Sequence, residues 1–525
     1  MRVASTESAP STAKRPGIAL AAVTAVLFVT FLDTTVVSVA LGDIRHELST
    51  DVMLLQWVVN AYTLVFAGLM LAGGSLGDRW GRKKVMIGGL VVFCAGSVVA
   101  ALADSVPVLI AGRAIMGLGA AASEPGTLSV LRHIFPDERA RARALGVWAA
   151  VSGLALAAGP VLGGELVHVY GWRSIFWFNL IIGAVALVAA LWSVPESSDP
   201  RPGPIDWAGI VLGALALGAV IYAATSGEDR GYGAPSVIGL FVLGGLAFIA
   251  FFVVETRSAA PLLDFRYLRP PAVRGALVVA FAVYFGVFSI FFFTALYLQV
   301  MRSYTAAHTA GVFAPMAAAI IIGSLIAGLW VARYGARMLM IAGCVVGAAG
   351  ILLTRYELAG TLHDGTLSAA MAVAGFGFGI AVVPLTSAVM SGVPAEHSGM
   401  AAAVTNTMRQ VGSAVGVAVL GALVNSVLTA DLTTRMNQLG LPSPLQPNAI
   451  DAVERGRIPQ GVDLTPYLKY LSKVSDVLNT GKTAFHHGLD VALLVSAILI
   501  LVAAAFTAVD AVLHRTDRAE PARNA

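Results

Sequence analysis

The stretch 74–84, GSLGDRWGRKK, decides how the chain is read. It joins an apolar run at about 54–73 to another at about 85–103 through a short turn carrying Arg79, Arg82, Lys83 and Lys84. A turn this basic between two spanning helices is expected to stay in the cytoplasm, because Lys and Arg resist translocation. Fixing that side fixes the direction of every helix around it. Asp78, in the middle of the turn, can pair with Arg82 or accept from the free amides of a neighbouring helix end. On charge alone, the stretch also fits a loop that only sets orientation.

Composition sets the class. Apolar residues make up 57% of the chain and charged residues 12%, about half the charged share usual in soluble domains. Hydrophobic stretches of spanning length recur almost without interruption over 525 residues. This is the composition of a polytopic membrane protein, embedded in a lipid bilayer. The 34 basic and 30 acidic residues nearly balance, the basic ones follow loops, and no basic patch is interleaved with aromatics, which argues against nucleic-acid binding. Cys94 and Cys344 lie far apart in apolar runs, so neither a disulfide framework nor a metal site is expected. The polar residues 1–16 precede about 25 apolar ones, read as an uncleaved first helix.

Fourteen spans are expected, at about 17–41, 54–73, 85–103, 107–131, 144–168, 174–194, 205–225, 235–255, 273–300, 309–331, 338–356, 366–390, 401–428 and 487–509. An even number places both termini on one side, the cytoplasm. The basic loops at 132–143, 257–274 and 333–337 then fall inside with 74–84, while the short loops on the opposite side carry far fewer: Arg45, Arg173, Arg230, Arg302 and Arg355. RWGRK at 79–83 repeats as RYGAR at 333–337, with Ala332 in place of Asp78. The offset implies an all-α protein of two six-helix bundles, 1–200 and 259–525, with two additional helices at 201–258 between them. Secondary transporters are often built from such repeats, with the substrate path between the halves. The long polar segment 429–484 is expected outside the cell, partly as amphipathic helix around 464–478. Gly481-Lys482-Thr483 lacks the upstream glycine of a phosphate loop, and the absence of a nucleotide-binding segment argues against ATP-driven transport by this chain alone.

Ionisable residues inside spans are costly and are functional by default. Asp33 in span one and Arg113 in span four fall at comparable depth and can pair. Two roles fit Asp33: a carboxylate permanently paired to hold two helices, or a proton site whose ionisation is opposed by desolvation and favoured by the cation. Glu124 lies eleven residues after Arg113, nearly on the same helix face and roughly 16 Å further along. It is either a second carboxylate for protons or substrate cations, or a partner of loop residues such as Arg132. Arg409 in span thirteen, near Asn406 and Gln410, suits a structural or gating hydrogen-bond role. In span five, Gly153, Gly159, Gly163 and Gly164 allow close helix approach, and Pro160 removes a backbone bond.

These residues resemble the major facilitator superfamily and, within it, the fourteen-helix drug:proton antiporters. Gly74, Leu76, Asp78, Arg79, Gly81, Arg82 and Lys83 are similar to the superfamily's loop between helices two and three. Arg113, Gly117 and Gly119 resemble its helix-four motif, with Met116 where a glutamine is usual. Gly153, Gly159, Pro160, Gly163 and Gly164 resemble the antiporter motif of helix five. Asp33 with Thr35 resembles the helix-one motif, with Ser38 in place of its asparagine and Gly42-Asp43 in place of its proline. Asn406, Arg409, Gln410 and Gly412 resemble the helix-thirteen motif. The resemblance implies alternating access, with protons as the coupling ion and no other cofactor. Asp33 would be the protonation site and Arg113 its modulator. Asp78, Arg79, Arg82 and Lys83 would form a cytoplasmic charge lock. The family typically exports lipophilic, often cationic, compounds, and Trp57, Tyr62, Trp148, Tyr284 and Tyr297 are candidates to hold cations by cation–π contact.

The leading expectation is a proton-coupled multidrug or antibiotic exporter in a bacterial cytoplasmic membrane, working as a monomer on small lipophilic substrates. A dedicated exporter of one endogenous metabolite or lipid and a proton-coupled importer share the fold. A receptor would bind without moving its ligand. An enzyme is disfavoured, since no nucleophile elbow or metal-spaced histidine cluster is present and His486-His487 has only Asp490 close in sequence.

Overall fold

Where the sequence is apolar for twenty residues, backbone groups that find no water in lipid satisfy one another within a helix. A computed structural model describes residues 15–48, 52–199, 205–258, 261–302, 304–360, 363–438, 440, 442, 446 and 474–519. The helices are α1 (Pro16–Val36), the short α2 (Leu41–Glu47), α3 (Val52–Trp80), α4 (Arg82–Ala101), α5 (Val106–Ile134), α6 (Glu138–Tyr170) and α7 (Arg173–Ser193). There follow α8 (Trp207–Arg230), α9 (Pro235–Arg257), α10 (Pro271–Phe288), α11 (Ala306–Tyr334), α12 (Ala336–Ala359), α13 (Asp364–Gly392), α14 (Ser398–Gln438) and α15 (Val474–Ala519). Among the described residues 13 helices are long and apolar enough to cross a membrane. The remaining expected span, 144–168, is covered by α6, a helix of 33 residues outside that count.

Two glycines set the repeat. Gly81 (φ 107°) separates α3 from α4, and Gly335 (φ 81°) separates α11 from α12. Both occupy the left-handed region that a side chain disfavours, so RWGRK and RYGAR bend the chain on the same residue. The first span is not one helix. After Asp33, α1 tightens into a 3-10 turn at Val37–Ala40 before α2, a change of winding common at hinges. The ninth span is α10 continued by π-helical turns at Ser289–Thr294 and Tyr297–Met301.

The long polar segment expected at 429–484 is helical at both ends. Helix α14 runs on to Gln438 and α15 begins at Val474. Most of the amphipathic segment expected at 464–478 lies outside the described residues.

Helix α5 packs on α3 and α4, α1 on α6 and α7, and α4 on α7. On the other side α13 packs on α11 and α12, α14 on α10 and α15, and α12 on α15. The two groups meet through α6 against α11 and α3 against α14. Helices α8 and α9 pair with each other, and α8 also lies against α3 and α14.

Candidate functional site

Asp33 and Arg113 meet. Both are fully buried, and Arg113 Nη1 donates to Asp33 Oδ2. Asn179 of α7 donates from Nδ2 to the other carboxylate oxygen at 2.7 Å. The guanidinium is placed from three further directions. Its Nε donates to the Val58 carbonyl at 2.9 Å, its carbon lies 4.5 Å from the centre of the Tyr62 ring, and Met116 Sδ is 3.9 Å from Nη1. Tyr62 is fixed by its hydroxyl donating to the Thr30 carbonyl at 2.8 Å. A buried ion pair is stable only when its remaining donors and acceptors are also satisfied, and here α3 and α7 supply partners, with Met116 of α5 alongside. Asn179 was missed from sequence. Its signal was a lone amide inside the apolar run 174–194.

A second network crosses between the two helix groups. Glu124 is buried and accepts from Asn406 Nδ2 at 2.9 Å. Arg409 donates from Nη1 to Asn406 Oδ1 at 3.1 Å and from Nη2 to Thr386 Oγ1 at 2.6 Å. Its guanidinium carbon stands 5.1 Å from the Trp148 ring and 5.4 Å from the Tyr284 ring. Trp148 Nε1 in turn donates to Thr127 Oγ1 at 3.1 Å. Glu124 therefore does not take Arg132, the loop partner open to it from sequence. Arg132 instead donates to the Val393 carbonyl at 2.6 Å. Gln410, beside Arg409, is half-buried.

At the end carrying the 74–84 turn, Asp78 takes both kinds of partner that its sequence position suggests. Arg82 Nε donates to Asp78 Oδ1 at 2.9 Å, and the amides of Gly399 and Met400 donate to Oδ1 and Oδ2 at 2.8 and 3.0 Å. Those amides open α14, where the helix dipole favours a carboxylate. Arg82 Nη2 also donates to the Ala395 and Glu396 carbonyls, both at 2.8 Å. Gly74 permits this approach: a Cβ there would lie 2.5 Å from the Gly399 carbonyl oxygen. Arg79 is not part of the latch in this geometry, and its Nη1 is buried without a partner among the described residues. Lys83 Nζ donates to the Leu191 carbonyl at 2.8 Å. The strap after α7, unread from sequence, covers the turn. Glu196 accepts from the Lys83 and Lys84 amides at 3.1 and 3.3 Å, and a Cβ on Gly81 would lie 2.7 Å from its carboxylate. In the second copy of the repeat Ala332 and Ala336 stand where Asp78 and Arg82 do. The start of α6, which faces that copy, is capped by its own Asp137, accepting from the Ala140 amide at 2.8 Å.

The glycines of α6 divide between two neighbours. A Cβ on Gly159 would lie 1.9 Å from Thr35 Oγ1, and one on Gly163 would lie 2.7 Å from Val39 of α1's continuation. One on Gly153 would lie 3.0 Å from Ile320 of α11, and one on Gly164 would meet nothing within 4 Å. The helix is continuous through Pro160. The five aromatics do not form one lining. Tyr62 sits on Arg113, Trp148 and Tyr284 on Arg409, and Tyr297 on Arg302 at 5.7 Å. Trp57 lies 5.1 Å from Tyr222 of α8.

Two repeated helix groups that bend on equivalent glycines and meet at a buried latch form a recognisable architecture. Residues 23–417 match the family model described as Major Facilitator Superfamily. The chain belongs to the Major Facilitator Superfamily. It is 32% identical over 420 residues to the multidrug resistance protein Stp of Mycobacterium tuberculosis (strain CDC 1551 / Oshkosh), covering 80% of this chain and 78% of that one. It is 30% identical over 513 residues to the multidrug efflux pump LfrA of Mycolicibacterium smegmatis, covering 96% and 98%. Its fold matches the crystal structure of the human organic anion transporter MFSD10 with a TM-score of 0.58 at 14% identity, over 92% of this chain and 99% of that one. This facilitator-superfamily chain is thus a multi-pass membrane transporter with multidrug-efflux relatives.

Proposed function

We propose that the chain is a proton-coupled exporter of lipophilic, mainly cationic drugs or antibiotics, working as a monomer by alternating access. The carrying observation is the fully buried Asp33–Arg113 pair, set on the helix that packs against the glycines of α6. Protonation of Asp33 removes the charge that Arg113 answers. The cation keeps its Val58 carbonyl and Tyr62 ring, but α1 is released from α5. The two bundles, 1–200 and 259–525 with 201–258 between them, then rock about the path between them. With both termini and the 74–84 turn in the cytoplasm, the Asp78 latch closes the inner side and leaves the outer side to release substrate. Protons are the only coupling species required.

Four of the five candidate rings already hold the chain's own arginines. A substrate cation would therefore be answered by Glu124, buried between the bundles, with Asn406 released to it. The same occupied rings favour one second reading, a narrow exporter of a single endogenous metabolite or lipid, since they leave little adaptable aromatic surface. Ethidium movement in everted membrane vesicles separates these. Uptake driven by an acid interior and abolished by a protonophore is the expected result. Uptake only on reversing the gradient indicates an importer, and no movement of any lipophilic cation leaves the narrow exporter.

A further inference from the structure

Asp33 is held on its two oxygens by groups that differ in kind. Arg113 is a fixed cation on Oδ2, and Asn179 is a neutral amide on Oδ1. Asn179 is fully buried, and its own Oδ1 is buried with no hydrogen-bond partner among the described residues. Native interiors seldom keep an acceptor in that condition without cause. An ionised carboxylate only accepts hydrogen bonds, whereas a protonated one also donates. The two ends of an Asn amide exchange places on a half-turn about its last torsion. The unused oxygen of Asn179 is therefore the atom that a protonated Asp33 requires.

We infer that Asn179 is a positioning residue for the proton site, donating to Asp33 when it is ionised and, turned over, accepting from it when it is protonated. This rests on Asp33 being the coupling carboxylate. The Asp33–Asn179 hydrogen bond is then kept in both states of the carboxyl group. Helix α7 stays in place while the amide turns. Ser97 Oγ of α4 donates to the Phe176 carbonyl at 2.7 Å, one turn before Asn179. One turn after it, a Cβ on Gly183 would lie 2.6 Å from Cys94 Sγ, so α7 and α4 are in close contact there.

The charged and titratable groups around Asp33 are few. Helix α5 brings Arg113 and, further along, Glu124. Helix α3 brings Tyr62, which lies on Arg113. Helix α6 presents Gly159 and Gly163 to the segment following Asp33, and α7 contributes the neutral Asn179. A change of the amide is thus read on Asp33 without another charge moving with it.

The test is an infrared pH titration of the full-length protein in lipid nanodiscs, following the C=O band of a protonated carboxyl group that is lost in Asp33→Asn. Asn179→Leu removes a bond from both forms, but the bond to the charged form is the stronger, so the midpoint of that band should move about one pH unit toward alkaline. Asn179→Gln, which keeps an amide, should return it to within about half a unit. If Asn179→Leu does not fold, Asn179→Ala is read in the same way. A wild-type midpoint in the Leu or Ala variant, even with slowed transport, overturns the inference and leaves Asn179 a packing residue. A wild type showing no band that disappears in Asp33→Asn overturns the reading of Asp33 itself, a distinguishable result.

Discussion

One carboxylate at the turn between α3 and α4 serves three elements. Asp78 holds Arg82 within its own turn and the first amides of α14 across the gap between bundles. A hydrogen bond to a charged group contributes ~1.5–3 kcal/mol, so Asp78→Asn should shift the loop end toward open by roughly ten- to a hundredfold. Pulsed electron–electron distances between spin labels at positions 139 and 337 measure this directly, because Cys94 and Cys344 are buried and leave little background. A distance distribution unchanged in Asp78→Asn would remove the latch role. Gly74→Ala should act in the same direction, since its Cβ would meet Ala403 at 2.7 Å as well as the Gly399 backbone. At the opposite end, hydrogen bonding from Arg173 holds Glu47 below its ordinary value of 4.5, against a smaller effect of burial, with Trp172 adding a further bond. A lowered carboxylate pKa stabilises the fold above pH 4.5 and stops doing so as pH falls through the folded value. The melting-temperature gap between wild type and Glu47→Gln should therefore be open at about pH 7 and close as pH falls through the lowered folded value. It will be small, because the Glu47 side chain is 51% exposed.

Helix α6 illustrates what a sequence can and cannot show about an element. Its glycines were legible as a surface for close approach, but not which neighbour each one admits. Gly159 and Gly163 admit α1, and Gly153 admits α11. Gly159→Ala should lower the melting temperature, with overpacking costing ~1–3 kcal/mol, while Gly164→Ala should change stability by no more than about 0.5 kcal/mol. Equal effects would contradict the assignment of faces. The turn 74–84 and the positions of the spans were readable because each is local: charge at a helix end, twenty apolar residues in a row. The partners were not. Asn179 reaches Asp33 across 146 positions and Asp78 reaches Gly399 across 321, distances over which only packing decides. The aromatics stand in sequence only as candidates to hold a cation because a ring's direction on an apolar helix carries no periodic signal, and four of them face arginines. Helices α14 and α15, of 41 and 46 residues, run past the apolar cores seen in sequence. The extensions keep a buried apolar seam, Leu432 and Met436 in α14 and Ala484 and Phe485 in α15, too sparse to read as a span but enough to pack.

Across the whole molecule, the hydrogen bonds between bundles gather toward one end: Asp78 with α14, Arg82 and Arg132 with 393–396, and Glu124 with Asn406 deeper in. The Asp33–Arg113–Asn179 group lies within one bundle. On the proposed proton coupling, the signal has to pass from a site inside one body to contacts between two, and α1 against α6 is the surface that joins them. Gradient-driven ethidium transport in proteoliposomes with wild type and Asp33→Asn tests this division of labour. Transport should follow the proton gradient in wild type and be lost in Asp33→Asn, with dye binding retained. Equal gradient-driven transport in the two proteins would contradict it and move the coupling role to Glu124.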